Sequence, residues 1–246
     1  MYHQFMELAG VDITKESMEV GPTAHYVMGG VRVDPESTAT SVGGLYAAGE
    51  VAAGLHGSNR LGGNSLSDLL VFGKRAGEFA AERALAIEHS TLDKQQVDEA
   101  VARIAKPFES EGAENPYTVQ SELRELMQSK VGIIRNKTDL ESALGEISKL
   151  KDREANVGVS GAHSYNPGWH TALDLQHLLS MSEAITKAAL EREESRGGHT
   201  RDDFPAPSDE FGKLNIVATL GDSGGVNIKR ESLSEMPEEL AELFKD

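Results

Sequence analysis

The stretch HGSNRLGGNSLSDLL, residues 56–70, constrains the fold more than any other part of the sequence. Glycines, asparagines and an arginine lead straight into an apolar helical pattern. Leu66, Leu69, Leu70, Phe72, Ala76, Phe79 and Ala80 form one broad face that continues to about Ile87. A backbone so rich in glycine and polar groups suits a polar ligand, and the helix behind it must bury its stripe against something. Gly73 and Gly77, about one turn apart, invite close packing on that helix.

Composition narrows the options. The chain has 246 residues, 39% hydrophobic and 26% charged, which is ordinary for a globular protein with a real core. No apolar run approaches the roughly 18 residues of a membrane-spanning helix, and MYHQFMELAG lacks a basic region followed by an apolar one. The expectation is a cytosolic chain without direct membrane insertion. A formal net charge of −16 with no stripe of Lys and Arg excludes nucleic acid as a partner. With no cysteine, the chain itself supplies no disulfide, thiolate metal site or iron–sulfur ligand. Any such cluster would belong to a partner.

The texture changes along the chain. HYVMGGVRVD (25–34) and GGLYAAGEVA (43–52) are β-prone runs joined by a polar turn at PESTAT, so this part reads as sheet. TLDKQQVDEAVARIAKPF is a mostly polar helix, and GAENPY (112–117) a linker. Three helices follow. The first, VQSELRELMQSKVGIIR, turns Leu123, Leu126, Met127, Val131 and Ile134 inward; the second runs over KTDLESALGEISKLKDREA with Thr138–Asp139 as its start signal; the third runs from Pro167 to the glycine pair 197–198. They are expected to form an antiparallel three-helix bundle. KLNIVATLGDSGGVNIKRESL alternates about GDSGG as a β-hairpin would, and a short acidic helix ends the chain.

Chemistry concentrates at a few positions. GLYAAGE delivers the carboxylate of Glu50 at a strand's C-terminal edge, where open α/β sheets bind ligands and a carboxylate suits ribose or ribityl hydroxyls. Standing alone, Glu50 would read as a solvated loop residue. The glycines of RLGGNSL precede a helix N-terminus, whose N–H groups and dipole favour an anion or a reduced flavin ring; the plain alternative is a tight strand-to-helix connection. Arg60 can fork onto a carboxylate. His25 opens HYVMGG, and without further context a lone histidine is a structural residue. His163, His170 and His177 lie two helical turns apart, too far to share a metal ion. Trp169 reads as a core anchor in preference to an electron relay, and His199 and Arg201 in ESRGGHTRDDFP either approach the site or brace one region against the other, bracing being the favoured reading.

GPTAHYVMGGVRVD, GLYAAGEVAAGLHGSNRLGGNSLSDLLVFGKRAG and ESRGGHTRDDFP together resemble the C-terminal portion of the succinate dehydrogenase and fumarate reductase flavoprotein subunit. The resemblance implies an α/β remnant of an FAD-binding domain followed by a helical domain, α+β in all. Residues 1–20 would be the end of a capping domain, 21–86 the C-terminal part of the FAD domain, 87–118 a connecting helix and linker, and 119–246 the helical domain. It further implies that His25 and Arg60 contact a C4 dicarboxylate. Tyr26, Glu50, Arg60, Leu61, Gly62, Gly63, Asn64, Ser65 and Leu66 would contact FAD. The implied activity is hydride transfer between flavin and dicarboxylate, interconverting succinate and fumarate. Implied partners are membrane anchor subunits together with an iron–sulfur subunit, passing electrons to or from quinone at the cytoplasmic face of the inner membrane. The family's G-x-G-x-x-G turn, its flavin-attaching histidine and its proton-delivering arginine match nothing here and are expected upstream. No catalytic residue or metal ligand is therefore assigned. L-aspartate oxidase shares ESRG and H-G-x-N-R and is one alternative; a non-catalytic truncated fragment is the other.

Overall fold

In the computed structural model, which describes residues 2–19, 21, 23–88, 91–110, 114–221 and 224–244, helix and sheet mix unevenly along the chain. After helix α1 (Tyr2–Ala9) a long irregular region reaches α2 (Asn64–Ala86), and α3 (Lys94–Ala105) follows. Then come α4 (Pro116–Lys130), β1 (Ile134–Arg135), α5 (Lys137–Glu154), α6 (Pro167–Glu191), β2 (Thr200–Arg201), β3 (Leu214–Leu220), β4 (Val226–Ser232) and α7 (Glu238–Ala241). Residues 112 and 113 of the expected linker and 222 and 223 of the expected hairpin turn lie outside the described residues, as do Met1 and Val20 of the capping segment.

The core lies among α4, α5 and α6. Val119, Leu123 and Leu126 on α4, Leu140, Ala143, Ile147 and Leu150 on α5, and Ala172, Leu175, Leu179 and Ala189 on α6 interdigitate as one buried cluster. Their spacing of three and four residues puts each set on one helical face. Asparagine opens all three helices: Asn115 accepts from the Tyr117 amide at 2.9 Å, Asn136 from Asp139 at 3.0 Å and Asn166 from Trp169 at 3.1 Å. Pro116 and Pro167 occupy the first helical positions, where no intrahelical N–H is needed. Strand β3 pairs antiparallel with β4, and both pack on α6. β1 and β2 pair in parallel, tying the α4–α5 connection to the segment after α6.

Several expectations are corrected. Ile134 lies on β1 and is 63% exposed, because the chain leaves the helical path after Lys130. Helix α5 starts at Lys137, as its expected run does, but Asn136 caps it in place of the Thr138–Asp139 pair; Asp139 accepts from the Asn136 side chain at 2.7 Å. Helix α6 ends at Glu191, six residues before the glycine pair is reached, because Arg192 turns extended and enters a cluster of ion pairs.

The largest correction concerns residues 21–86. Among the described residues, no strand forms in the runs expected to be sheet. Val31 meets Ala52 in one parallel bridge and Ala39 meets Tyr46 in one antiparallel bridge. A strand requires a neighbour that continues the ladder, and each of these bridges is an isolated rung. Val27, Val31, Leu45 and Val51 stay exposed. The PESTAT turn does form, with Asp34 accepting from the Glu36 and Ser37 amides. Helix α2 forms where its periodicity predicts, yet its apolar stripe is largely open: Leu66, Leu69 and Leu70 are exposed, Phe72, Ala76 and Ala80 are half-buried, and nothing among the described residues approaches Gly73 or Gly77.

Candidate functional site

Three glycines at positive φ (Gly54, Gly57 and Gly63) bend the loop that carries His56 and Arg60 into the start of α2. Gly63 is the N-cap, with φ 84°, and no side chain caps that helix end. Facing this loop runs the extended segment with His25, Tyr26 and Val27. Glu50 fastens it: the carboxylate, on a single 3₁₀ turn of Gly49–Val51, accepts the Val27 amide at 2.9 Å. Gly49 is needed there, since its φ is 78° and an added Cβ would stand 2.6 Å from Leu69 Cδ2.

Tyr26 stands at the centre. The Arg60 guanidinium lies over its ring, 4.5 Å from the centroid. The ring of His56 meets Tyr26 in a T-shaped contact at 5.7 Å. Behind His56, Asp68 on α2 brings a carboxylate oxygen to 3.4 Å from Nε2, with both side chains under a tenth exposed. His56 Nε2 and Arg60 Nε are buried without a hydrogen-bond partner among the described residues. Burial raises the Tyr26 phenol, the negative Asp68 and Glu50 add to this, and Arg60 opposes it.

The predicted site residues therefore divide. Tyr26 and Arg60 are in contact, and Glu50 reaches the same segment through Val27. His25 is exposed, its ring 6.5 Å from that of Tyr26. Leu61, Gly62, Gly63, Asn64 and Leu66 are exposed and Ser65 half-buried, so the loop presents an open face. His56 and Asp68 belong to no expected contact set, although Asp68 interrupts the apolar run between Leu66 and Leu70, a signal of a carboxylate with a buried partner. A cavity of about 280 Å³ is lined by Asp68 together with Thr38, Ala47, Leu55, Phe72 and Arg75.

A second polar cluster lies on the helical side. Arg201 is fully buried; it donates to the carbonyls of Ala189 and Leu190 at the end of α6 and to both carboxylate oxygens of Asp203 at 2.7 Å. That pairing holds Asp203 down at about 2. Burial lowers His199, whose Nε2 lies 3.0 Å from the Arg192 carbonyl and Nδ1 3.0 Å from Arg135. A neutral ring with the proton on Nε2 satisfies both contacts. The turn between them reaches the loop directly: the Gly198 amide donates to the Ser58 carbonyl at 3.0 Å, two residues before Arg60. The His199 and Arg201 side chains thus contact residues of the helical region, and the bond that crosses to the 56–60 loop is made between the Gly198 and Ser58 backbones.

Among the described residues no helix is long and apolar enough to cross a membrane. Residues 120–242 match the family model "Fumarate reductase flavoprotein C-term", and residues 1–66 match "FAD binding domain". A fumarate reductase (CoM/CoB) subunit of Methanothermobacter marburgensis is 44% identical over 86% of this chain and 38% of its own length. Among solved structures, Mycobacterium smegmatis Sdh1 in complex with UQ1 superposes with a TM-score of 0.91 at 48% identity, over 99% of this chain and 42% of that one. E. coli quinol fumarate reductase gives 0.87 at 30% identity, again over 42% of that chain. The chain thus spans 38% to 42% of the length of these relatives. On these matches, the chain belongs to the succinate dehydrogenase and fumarate reductase flavoprotein family.

Proposed function

We propose that this chain is the C-terminal part of an FAD-dependent flavoprotein subunit that interconverts succinate and fumarate. The observation that carries the reading is Arg60: its guanidinium is held over Tyr26 while its Nε is buried without a partner among the described residues. A planar donor fork fixed from behind, with unfilled hydrogen-bonding capacity, suits a carboxylate.

The residues present fit a flavin. The start of α2 lacks a side-chain cap, and an added Cβ at Gly62 or Gly63 would meet nothing within 4 Å, so a flat ring can approach this backbone. Tyr26, Glu50, Arg60 and residues Leu61 to Leu66 would hold FAD, with Glu50 toward the ribityl chain. When bound, FAD supplies the hydride acceptor or donor. Arg60 and His25 orient the two carboxylates of the C4 substrate, and the Arg60 guanidinium stabilises negative charge developing on one of them. The proton-delivering arginine belongs to sequence outside this chain.

The relatives' descriptions supply the setting. One is bound to UQ1 and another is a quinol-fumarate reductase with menaquinol, so electrons here would pass to or from quinone. An iron–sulfur subunit would carry them, consistent with a chain that has no cysteine, and anchor subunits would hold the assembly at the cytoplasmic face of the inner membrane.

The test is turnover by a flavin-loaded subunit in which this chain is joined to a dinucleotide-binding segment of the family, with a redox dye as electron source or sink. Fumarate reduction or succinate oxidation is expected, and Arg60→Lys is expected to lower it on the order of 10²-fold with visible flavin absorbance unchanged. Oxidation of an amino acid by oxygen in place of dicarboxylate turnover would transfer the chain to the oxidase reading. Loss of flavin with activity per flavin intact would make Arg60 a cofactor residue only.

A further inference from the structure

His56 and Asp68 have no part in the function just described, yet they are the most enclosed titratable pair beside it. Their side chains are 8% and 5% exposed, and the imidazole Nε2 faces the carboxylate at 3.4 Å without completing a hydrogen bond. A carboxylate removed from water needs a donor, and the imidazole and the Tyr26 hydroxyl both face it. On its other side the same imidazole meets the Tyr26 ring at 77°, and Tyr26 in turn carries the Arg60 guanidinium. The four side chains form one file, from a rigid helix to the substrate loop: Asp68, His56, Tyr26, Arg60.

Each member fixes the next. Asp68 sits in the second turn of α2 and cannot shift without the helix. His56 lies in a loop bent by glycines, so its ring depends on Asp68 for orientation. Tyr26 is in an extended segment without ladder partners, so its ring plane is set by the side chains that touch it. A guanidinium over an aromatic face follows the plane of that face. We propose that His56 and Asp68 are positioning residues, holding the Tyr26 ring and through it the Arg60 guanidinium in the orientation that receives a substrate carboxylate. This inference rests on the assignment of Arg60 as the carboxylate clamp.

The test uses the same flavin-loaded subunit, comparing His56→Ala, His56→Gln, Asp68→Asn, Arg60→Lys and the double variant His56→Ala/Arg60→Lys. His56→Ala is expected to raise KM for fumarate roughly tenfold, with flavin content unchanged and a smaller change in kcat. His56→Gln, which keeps a donor toward Asp68 and fills the space beside Tyr26, is expected to recover most of that KM. Adding His56→Ala to Arg60→Lys should raise KM no further, because coupled residues are not additive. If His56→Ala yields no soluble protein, Asp68→Asn carries the same expectation for KM. Wild-type KM in these variants, or flavin and kcat falling together at constant KM, would show a merely structural pair and overturn the proposal. Wild-type behaviour of Arg60→Lys would instead remove the clamp assignment itself, a distinguishable failure.

Discussion

Arg201 takes a full charge into the protein interior and leaves little of it unmatched. Its guanidinium serves the last carbonyls of α6 and both oxygens of Asp203. Removing it strands buried acceptors and one carboxylate, so Arg201→Ala is expected to lower unfolding free energy by about 3–5 kcal/mol, read from the urea midpoint. The pair also leaves an acid signature. Asp203 is depressed from 3.8 to about 2, so its contribution is complete above pH 3.8 and lost as pH falls through about 2. Wild-type stability should decline across that window, and Arg201→Ala should flatten the decline. The neutral His199 behaves in the opposite sense to an ion-paired histidine: burial lowers it, so protonation below its ordinary 6.5 costs stability rather than adding it.

At the scale of elements, the turn after α6 is a tight steric fit. Gly197 has φ 59°, and a Cβ there would stand 2.4 Å from the Ser58 carbonyl oxygen, a backbone atom with no easy retreat. Gly197→Ala is expected to push the 56–60 loop away and to speed hydrogen exchange at the Gly198 amide, with a stability loss of at least about 1 kcal/mol. The ends of these elements also show what a sequence discloses. Helices α4, α5 and α6 were legible because the apolar spacing of Leu123 and Leu126, of Leu140 and Ile147, and of Leu175 and Leu179 is local information that the core then uses. The residues of the 56–66 loop were legible for the same reason, as a glycine-rich run before a helix. The failure at residues 25–52 has the converse cause: β-propensity reports a readiness to pair, and pairing depends on strands elsewhere. His56 and Asp68 escaped notice because twelve positions separate them, and only the bend at Gly57 and Gly63 brings their side chains together.

For the whole molecule, burial is lopsided. The apolar core lies in residues 119–189, whereas among the described residues before Val119 the buried ones are Asp12, Thr38, Gly49, Asp68, Pro107 and Pro116. Limited proteolysis is expected to remove the region before α4 first and to leave a resistant piece covering α4 to β4, seen by mass spectrometry; early cleavage within α5 or α6 would contradict this distribution. The contacts that join the two parts include the Val159 amide on the Pro107 carbonyl at 2.8 Å and Arg153 on the Glu114 carboxylate at 2.8 Å. Arg32 pairs with Glu231 at 2.7 Å, Gly198 meets Ser58, and the Trp169 indole donates to the Ile104 carbonyl at 2.6 Å while its ring meets Phe108 and His163. That indole is the protein's one tryptophan. Its fluorescence therefore reports a single joint: release of the 104–108 segment would wet the ring and shift emission to the red while α6 stays folded. Rearrangement of the 56–66 loop would leave the signal unchanged. Nature has placed a site-specific optical label at the seam between the two halves, and no dye is needed to watch it open.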